Sequence, residues 1–343
     1  MSKKNQIKKN PLVSICIPVY NGADFVTKAL ESAVSQSYGN LEIVICDDAS
    51  ADKTLKIAES YQKKHSQVKV FKNKKNLGLA KNFLKTYSLA TGDFIQHLAQ
   101  DDWLDKNFIE ERVKIFKEYP EAAFVAGPIK SYQKERGLMK ATRIVNKKPG
   151  IYLKKYIYKN FYKQDGLIGL FCTARKSELV NSFLINIPNK FGYDEFYKKG
   201  VVIDNLVFLN ILSSYNFIYY AEKGIMHTLS HSQNASKSYG FKQSLSDEVK
   251  FMHIKRIGFE YFFQNRAPHF LSPYRIFEGA NLFASLFFSF VFKGKRNFSK
   301  GEFKKYFFEY CFWEKLTSFL YFPVILINRT LKWLVHKTKN ERE

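Results

Sequence analysis

An α/β fold is predicted, with a mainly parallel sheet flanked by helices and a C-terminal helical extension. Three observations carry it. Short apolar runs alternate with helix-length amphipathic segments from residue 12 to residue 126, and that alternation means βαβ units. Several runs end in polar, turn-forming residues: Pro18–Asn21, Asp47-Asp48 and Asp101-Asp102. Right-handed crossovers gather the ends of parallel strands on one rim, outside which open sheets bind their ligands. Finally, 343 residues that are 45% hydrophobic suffice for one large core or two smaller ones.

The elements follow in order. Residues 12–18 form an apolar run, hence a buried strand. Tyr20-Asn21-Gly22 is a turn. Ala23–Gln36 is a helix with Phe25, Ala29, Leu30, Ala33 and Val34 on one face. A strand at Leu41–Cys46 precedes a helix at Asp52–Lys64, capped by Ser50 or Asp52. Val68–Phe71 is a short strand, Leu79–Leu89 a helix, Asp93–Leu98 a fourth strand. Lys106–Glu118 is a helix stopped by Pro120, and Ala122–Ala126 a fifth strand. Beyond 127 the pattern loosens. Residues 131–149 read as a hairpin or mobile loop, Leu153–Tyr162 as a helix and Gly166–Thr173 as a strand. Residues 191–195 read as a loop, Ile203–Leu212 as a helix and Phe217–Tyr220 as a strand. A polar segment holding His227, His231, Asn234 and Ser236 follows. The tail from about residue 244 is helical in pattern, with aromatic-rich stretches at Leu282–Phe292 and Phe319–Val335.

The chain is organised around FIQHLAQDD, residues 94–102. An apolar strand that ends in Asp101 and Asp102 places two carboxylates at a sheet edge. Adjacent carboxylates raise each other's pKa unless a cation intervenes, and a hard divalent ion that also touches a diphosphate is one solution. The other reading is a solvated turn with an Asp cap.

Lys plus Arg exceed Asp plus Glu by 55 − 31 = 24, which favours an anionic partner: nucleic acid, anionic lipid or a phosphorylated substrate. The basic residues are scattered and no nucleic-acid fold signature occurs, which argues against nucleic acid. Cys16, Cys46 and Cys172 lie in apolar runs and read as core residues, with no metal-ligand spacing among the four cysteines. The basic N-terminus lacks a signal-type apolar stretch, and no uncharged apolar run reaches 18 residues. A cytoplasmic protein is expected, with a peripheral place on the inner membrane left open.

Six motifs in order resemble the family 2 glycosyltransferases: VSICIPVYN (13–21), EIVICDDAS (42–50), NLGLAKN (76–82), GDFIQHLAQDDWL (92–104), FGYDE (191–195) and the helix opened by Asp204. The resemblance spans roughly residues 11–236. It implies the GT-A (Rossmann-like) fold over 11–240, with a nucleotide-binding half at 11–127 and an acceptor half at 128–240. It implies transfer of a sugar from a nucleoside-diphosphate donor, uridine most often, with inversion. By the same resemblance Pro18, Tyr20 and Asn21 line the nucleobase pocket and Asp48 accepts a bond from the base. Lys81 stands near the phosphates and Asp101 near the ribose. Asp102 and His231 hold Mg²⁺ or Mn²⁺, and Asp204 is the catalytic base, with Asp194 and then Glu195 as alternatives. The chain departs from the pattern at Gln100, where the family's triplet begins with an acid, at Ile203, where a Glu precedes the base, and at Leu229, where an Arg precedes the histidine.

The acceptor is expected to be a glycan or a lipid-linked glycan of bacterial surface polysaccharide synthesis. The region 241–343 is either packed helix or an interfacial segment beside anionic lipid. An inactive relative acting as a scaffold, and a nucleic-acid binder, are the competing functions.

Overall fold

The computed structural model describes residues 7–135, 138–160, 169–183 and 203–231, with isolated positions at 262, 264, 266 and 269. The chain divides into two compact units, Met1–Asn234 and Ala235–Glu343. Both sheets and the candidate site belong to the first. The motif at 191–195, residues Asn234 and Ser236, and both aromatic tail stretches lie outside the described residues.

An eight-stranded sheet forms the centre. Its strands are β1 (Val13–Val19), β2 (Leu41–Asp47), β3 (Val68–Lys72), β4 (Phe94–His97), β6 (Phe124–Ala126), β9 (Gly150–Leu153), β10 (Thr173–Arg175) and β11 (Phe217–Tyr220), in the order β3-β2-β1-β4-β10-β6-β11-β9. The first four run parallel. β10 enters antiparallel between β4 and β6, β11 is parallel to β6, and β9 closes the far edge antiparallel to β11. Every residue of β1 is buried, as expected of a strand covered on both faces.

Helices α1 (Val26–Val34), α2 (Thr54–Lys64), α3 (Leu79–Leu89) and α4 (Phe108–Glu118) make the crossovers. α1 buries Val26, Ala29, Leu30 and Ala33, the 3-4-7 spacing of one helical face. α2 begins after Asp52, whose carboxylate accepts from the Thr54 N–H at 2.9 Å. α3 begins after Gly78, whose φ of 84° suits a residue without Cβ. Later come α5 (Lys154–Asn160), α6 (Lys176–Phe183) and α7 (Ile203–Ser213). α7 buries Leu206 through Leu209, Ile211 and Leu212.

A second sheet has the order β5-β12-β7-β8, from β5 (Trp103–Leu104), β7 (Ile129–Glu135), β8 (Leu138–Val145) and β12 (Met226–Ser230). Residues 131–149 thus contribute a hairpin, β7–β8, with a bulge at Ser131/Tyr132. Two expectations change. Of the strand expected at 166–173, residues 166–168 lie outside the described residues, residues 169–172 form a bend and turn, and the strand is Thr173–Arg175, which leads directly into α6. The polar segment around His227 is a strand, because β7 and β5 supply backbone partners on its two sides.

Candidate active site

The rim at the carboxyl ends of β1, β2 and β4 gathers Pro18, Tyr20, Asn21, Asp48, Asp101 and Asp102. Pro18 is buried in β1 opposite Cys46. Tyr20, just beyond, is half exposed. Its backbone is held at both ends by Gln100: the Tyr20 N–H donates to Oε1 at 2.9 Å, and Nε2 donates to the Tyr20 carbonyl at 3.1 Å. A Cβ on Gly22 would lie 2.3 Å from Gln100 Oε1, so this approach needs glycine there. Asn21 sits at φ 45°; its N–H donates to Ser50 Oγ at 3.0 Å and its Oδ1 accepts from the Ala51 N–H at 2.9 Å. Ala49, across that contact, has φ 60°. Two non-glycine residues in the left-handed region at facing strand ends are a concentration of strain of the kind that marks functional loops.

Asp48 is buried and used from three sides. Oδ1 accepts from Asn73 Nδ2 at 2.7 Å and from the Leu77 N–H at 2.8 Å; Oδ2 accepts from the Gly78 N–H at 3.0 Å. Its carboxylate thereby fixes the start of α3 against the end of β2, and Oδ2 keeps acceptor capacity. Lys81 is exposed in the first turn of α3.

Asp101 and Asp102 follow β4. His231, reached at the end of β12, places Nε2 3.0 Å from Asp101 Oδ2 and stacks on Phe25 of the α1 entry with ring centroids 3.9 Å apart. Asp102 Oδ1 accepts from the Leu229 N–H at 3.0 Å. Burial and then the neighbouring Asp101 charge raise the Asp102 carboxyl well above the ordinary carboxylate range, with the Leu229 bond acting the other way. The structure thus joins Asp101 to His231 and Asp102 to the strand that carries His231. Among the described residues, no group of three or more His, Cys, Asp and Glu converges as a metal cluster. Asp204 is the second residue of α7, and its side chain lies outside what is described.

What holds β12 at this rim was not foreseen. Asp105 N–H donates to the Ile225 carbonyl at 3.0 Å, Asp105 Oδ2 accepts from the Ile225 N–H at 2.9 Å, and Oδ1 lies 2.8 Å from His227 Nε2. His227 Nδ1 is 3.2 Å from the Tyr132 hydroxyl. The His227 ring stacks on Trp103 at 5.1 Å with planes 2° apart, and Lys28 Nζ stands 3.1 Å from the centre of the Trp103 ring. Burial lowers the Lys28 pKa. Arg112, almost wholly buried in α4, donates from Nη1 to the Lys223 carbonyl and from Nη2 to the Gly224 carbonyl, both at 3.0 Å. Its guanidinium lies over Phe108, 4.1 Å from the ring centre. One available signal was the i, i+2, i+4 spacing of His227, Leu229 and His231, which puts all three on one face of an extended chain.

A doubly wound sheet with carboxylates at its strand ends and an imidazole brought to them defines an α/β protein whose candidate site lies at the carboxyl rim of the sheet. The comparisons refine this class. Residues 14–179, just under half of the chain, match the family described as glycosyl transferase family 2. It is 28% identical to a chondroitin synthase of Escherichia coli over 202 residues, which cover 57% of this chain and 27% of that one. It is 28% identical to a hyaluronan synthase of Pasteurella multocida over 204 residues, covering 58% and 20% respectively. The matches thus span well under half the length of these relatives. The fold resembles that of S. aureus TarS 1-349 in complex with UDP, with a TM-score of 0.57 at 18% identity over 86% of this chain and 78% of that one. The complex of the same protein with UDP-GlcNAc gives 0.54 over 80% and 81%. The fold is therefore of the GT-A kind expected.

Proposed function

We propose that the chain transfers a sugar from a nucleoside-diphosphate donor, uridine diphosphate by preference, to an acceptor hydroxyl with inversion at the anomeric carbon. The acceptor is a glycan or lipid-linked glycan of bacterial surface polysaccharide synthesis. The observation that carries this is the meeting of Tyr20, Asp48, Asp101, Asp102 and His231 at one rim, in a chain that matches this family over residues 14–179. The solved complexes of the fold relative with UDP and UDP-GlcNAc support the choice of donor.

Pro18, the half-exposed Tyr20 ring and Asn21 form the base pocket, and Asp48 Oδ2 accepts an N–H of the base. Lys81 meets the phosphates and Asp101 the ribose. Asp102 and His231 would hold Mg²⁺ or Mn²⁺. The donor set fits such an ion: adjacent carboxylates, one enclosed and raised by burial and by the other's charge, with an imidazole against Asp101. When bound, the ion neutralises charge on the departing diphosphate. Asp204 takes the proton from the acceptor hydroxyl, attacking opposite the leaving group, a role worth about 10²–10⁴-fold in rate.

The test is a thermal-shift and turnover panel of nucleoside diphosphates and nucleotide sugars with and without Mn²⁺. A ligand at about 100 times its dissociation constant adds about 2.7 kcal/mol of stability. Asp102→Asn abolishes the Mn²⁺-dependent shift. Asp204→Asn keeps donor binding and loses about 10²-fold in turnover. Full turnover by Asp204→Asn overturns its role, and Asp194→Asn is then the variant expected to fail. A wild-type chain that binds donor but turns over none is the inactive relative.

A further inference from the structure

The described residues expose six large hydrophobic side chains, and five of them, Met139, Ile144, Ile151, Leu153 and Tyr156, fall within one stretch of eighteen residues. Between Leu138 and Asn160 the sequence holds seven lysines and arginines and no aspartate or glutamate. The stretch runs along two sheet edges. β8 is the outer strand of the small sheet and β9 the outer strand of the large one, joined by the turn at 146–149 and followed by α5.

Within β9 the alternation faces the wrong way for a strand serving only the core. Ile151 and Leu153 point outward, 50% and 59% exposed. Tyr152 between them turns inward, edge-on to the buried Tyr220 and 5.7 Å from Tyr156. β9 (Gly150–Leu153) carries no lysine of the kind that blocks association at an edge strand, and its exposed isoleucine and leucine add apolar surface there. Lys148, Lys155 and Lys159 are exposed around them. The turn is braced rather than loose: the Tyr152 hydroxyl donates to the Lys148 carbonyl at 2.8 Å, the Tyr220 hydroxyl to the Val145 carbonyl at 3.2 Å, and Lys154 Nζ to the Ser213 carbonyl at 3.1 Å.

We propose that β9 with its flanking turn and α5 is a docking surface for an anionic lipid bilayer, Ile151 and Leu153 entering the headgroup–acyl boundary and the lysines meeting acidic headgroups. The chemistry selects lipid over a soluble polyanion. Lysines alone serve a polyanion, and sugars are met by aromatic rings, whereas exposed branched aliphatics flanked in sequence by exposed lysines match the interfacial pattern of apolar insertion with electrostatic attraction. None of these residues belongs to the aromatic tail, and the docking does not depend on the catalytic proposal: a chain without turnover would still bind.

The test is co-sedimentation of the full chain with vesicles of phosphatidylcholine alone or with about 30% phosphatidylglycerol, an anionic fraction that gives the surface its negative potential. The wild type binds the anionic vesicles and not the neutral ones. Ile151→Ser/Leu153→Ser weakens that binding about tenfold or more, while its melting temperature and its retention on dextran sulfate stay unchanged. Lys148→Gln/Lys155→Gln weakens vesicle binding about fivefold per lysine and lowers dextran sulfate retention too. Wild-type failure to bind, equal binding to neutral vesicles, or unchanged binding by the serine variant overturns the proposal. The last result would place the contact elsewhere in the chain or show this face covered by another segment of it.

Discussion

Glu42 lies at the end of the sheet opposite the site, yet it sets the heights of the strands that build the site. Its carboxylate accepts from Ser14 Oγ of β1 at 2.6 Å, from Thr91 Oγ1 at 2.9 Å and the Gly92 N–H at 3.2 Å before β4, and from Lys69 Nζ of β3 at 2.6 Å. Burial pushes its pKa up, but the bonds from Lys69, Ser14 and Thr91 outweigh this and bring it from 4.5 down to about 2. A displacement of that size corresponds to about 3 kcal/mol of folding free energy at neutral pH. Because Lys69 is half exposed, we take about 2–3 kcal/mol. A carboxyl whose pKa is depressed on folding stabilises above its unfolded value and loses that contribution as pH falls towards its folded value. Glu42→Gln is therefore expected to cost about 2–3 kcal/mol at pH 7, with the difference from wild type shrinking between pH 4.5 and pH 2. Urea denaturation of both proteins across that range measures it. A difference that stays constant from about pH 5 to about pH 2.5, or is already below about 1 kcal/mol at pH 7, would refute the reasoning.

Two further outcomes can be checked in the same way. Arg112→Ala removes both donors from the Lys223 and Gly224 carbonyls and leaves a cavity beside Gly127 and Phe108; it should cost about 3–5 kcal/mol by denaturant midpoint, and Arg112→Met, which refills the volume without the donors, about 1–3 kcal/mol. Ala49→Gly should stabilise by about 0.5–1 kcal/mol, because relief of φ 60° exceeds the added chain entropy of glycine; a lower melting temperature for this variant would show that the loop is not strained there.

Residues 11–127 were legible because each element there obeys one rule at a time. β1 is apolar throughout and buried throughout, and α1 repeats its buried residues at helical spacing. The helix after Gly78 runs over the expected Leu79–Leu89, whereas the one expected from Asp52 starts at Thr54, whose N–H the Asp52 carboxylate takes. The later half was less legible because its strands are short and depend on partners distant in sequence. β10 has three residues and β5 two, too few for any periodicity to register. β12 reads as polar because it fills a place between β5 and β7 whose hydrogen bonds are supplied 95 to 127 residues away in the chain. No local signal encodes such pairing. The same applies to Arg112: its place in α4 matches a core position of the helix, but only the folded chain shows two carbonyls waiting there.

The site residues were placed by motif, and the departures from the motif are where the structure adds most. Gln100 stands where an acid is usual, which on sequence grounds looks like a loss. In the folded chain an acid at this position could accept the Tyr20 N–H but could give nothing to the Tyr20 carbonyl, since a carboxylate has only acceptors. The amide supplies both ends and brings no third negative charge beside Asp101 and Asp102. With Asp102 already raised by burial and by Asp101, a further carboxylate would make ionisation of Asp102 harder still. Gln100 thus trades a charge for a Tyr20 backbone held at both ends. Gly22, which must lack a Cβ for Gln100 to approach, is its structural counterpart on the other side of the contact.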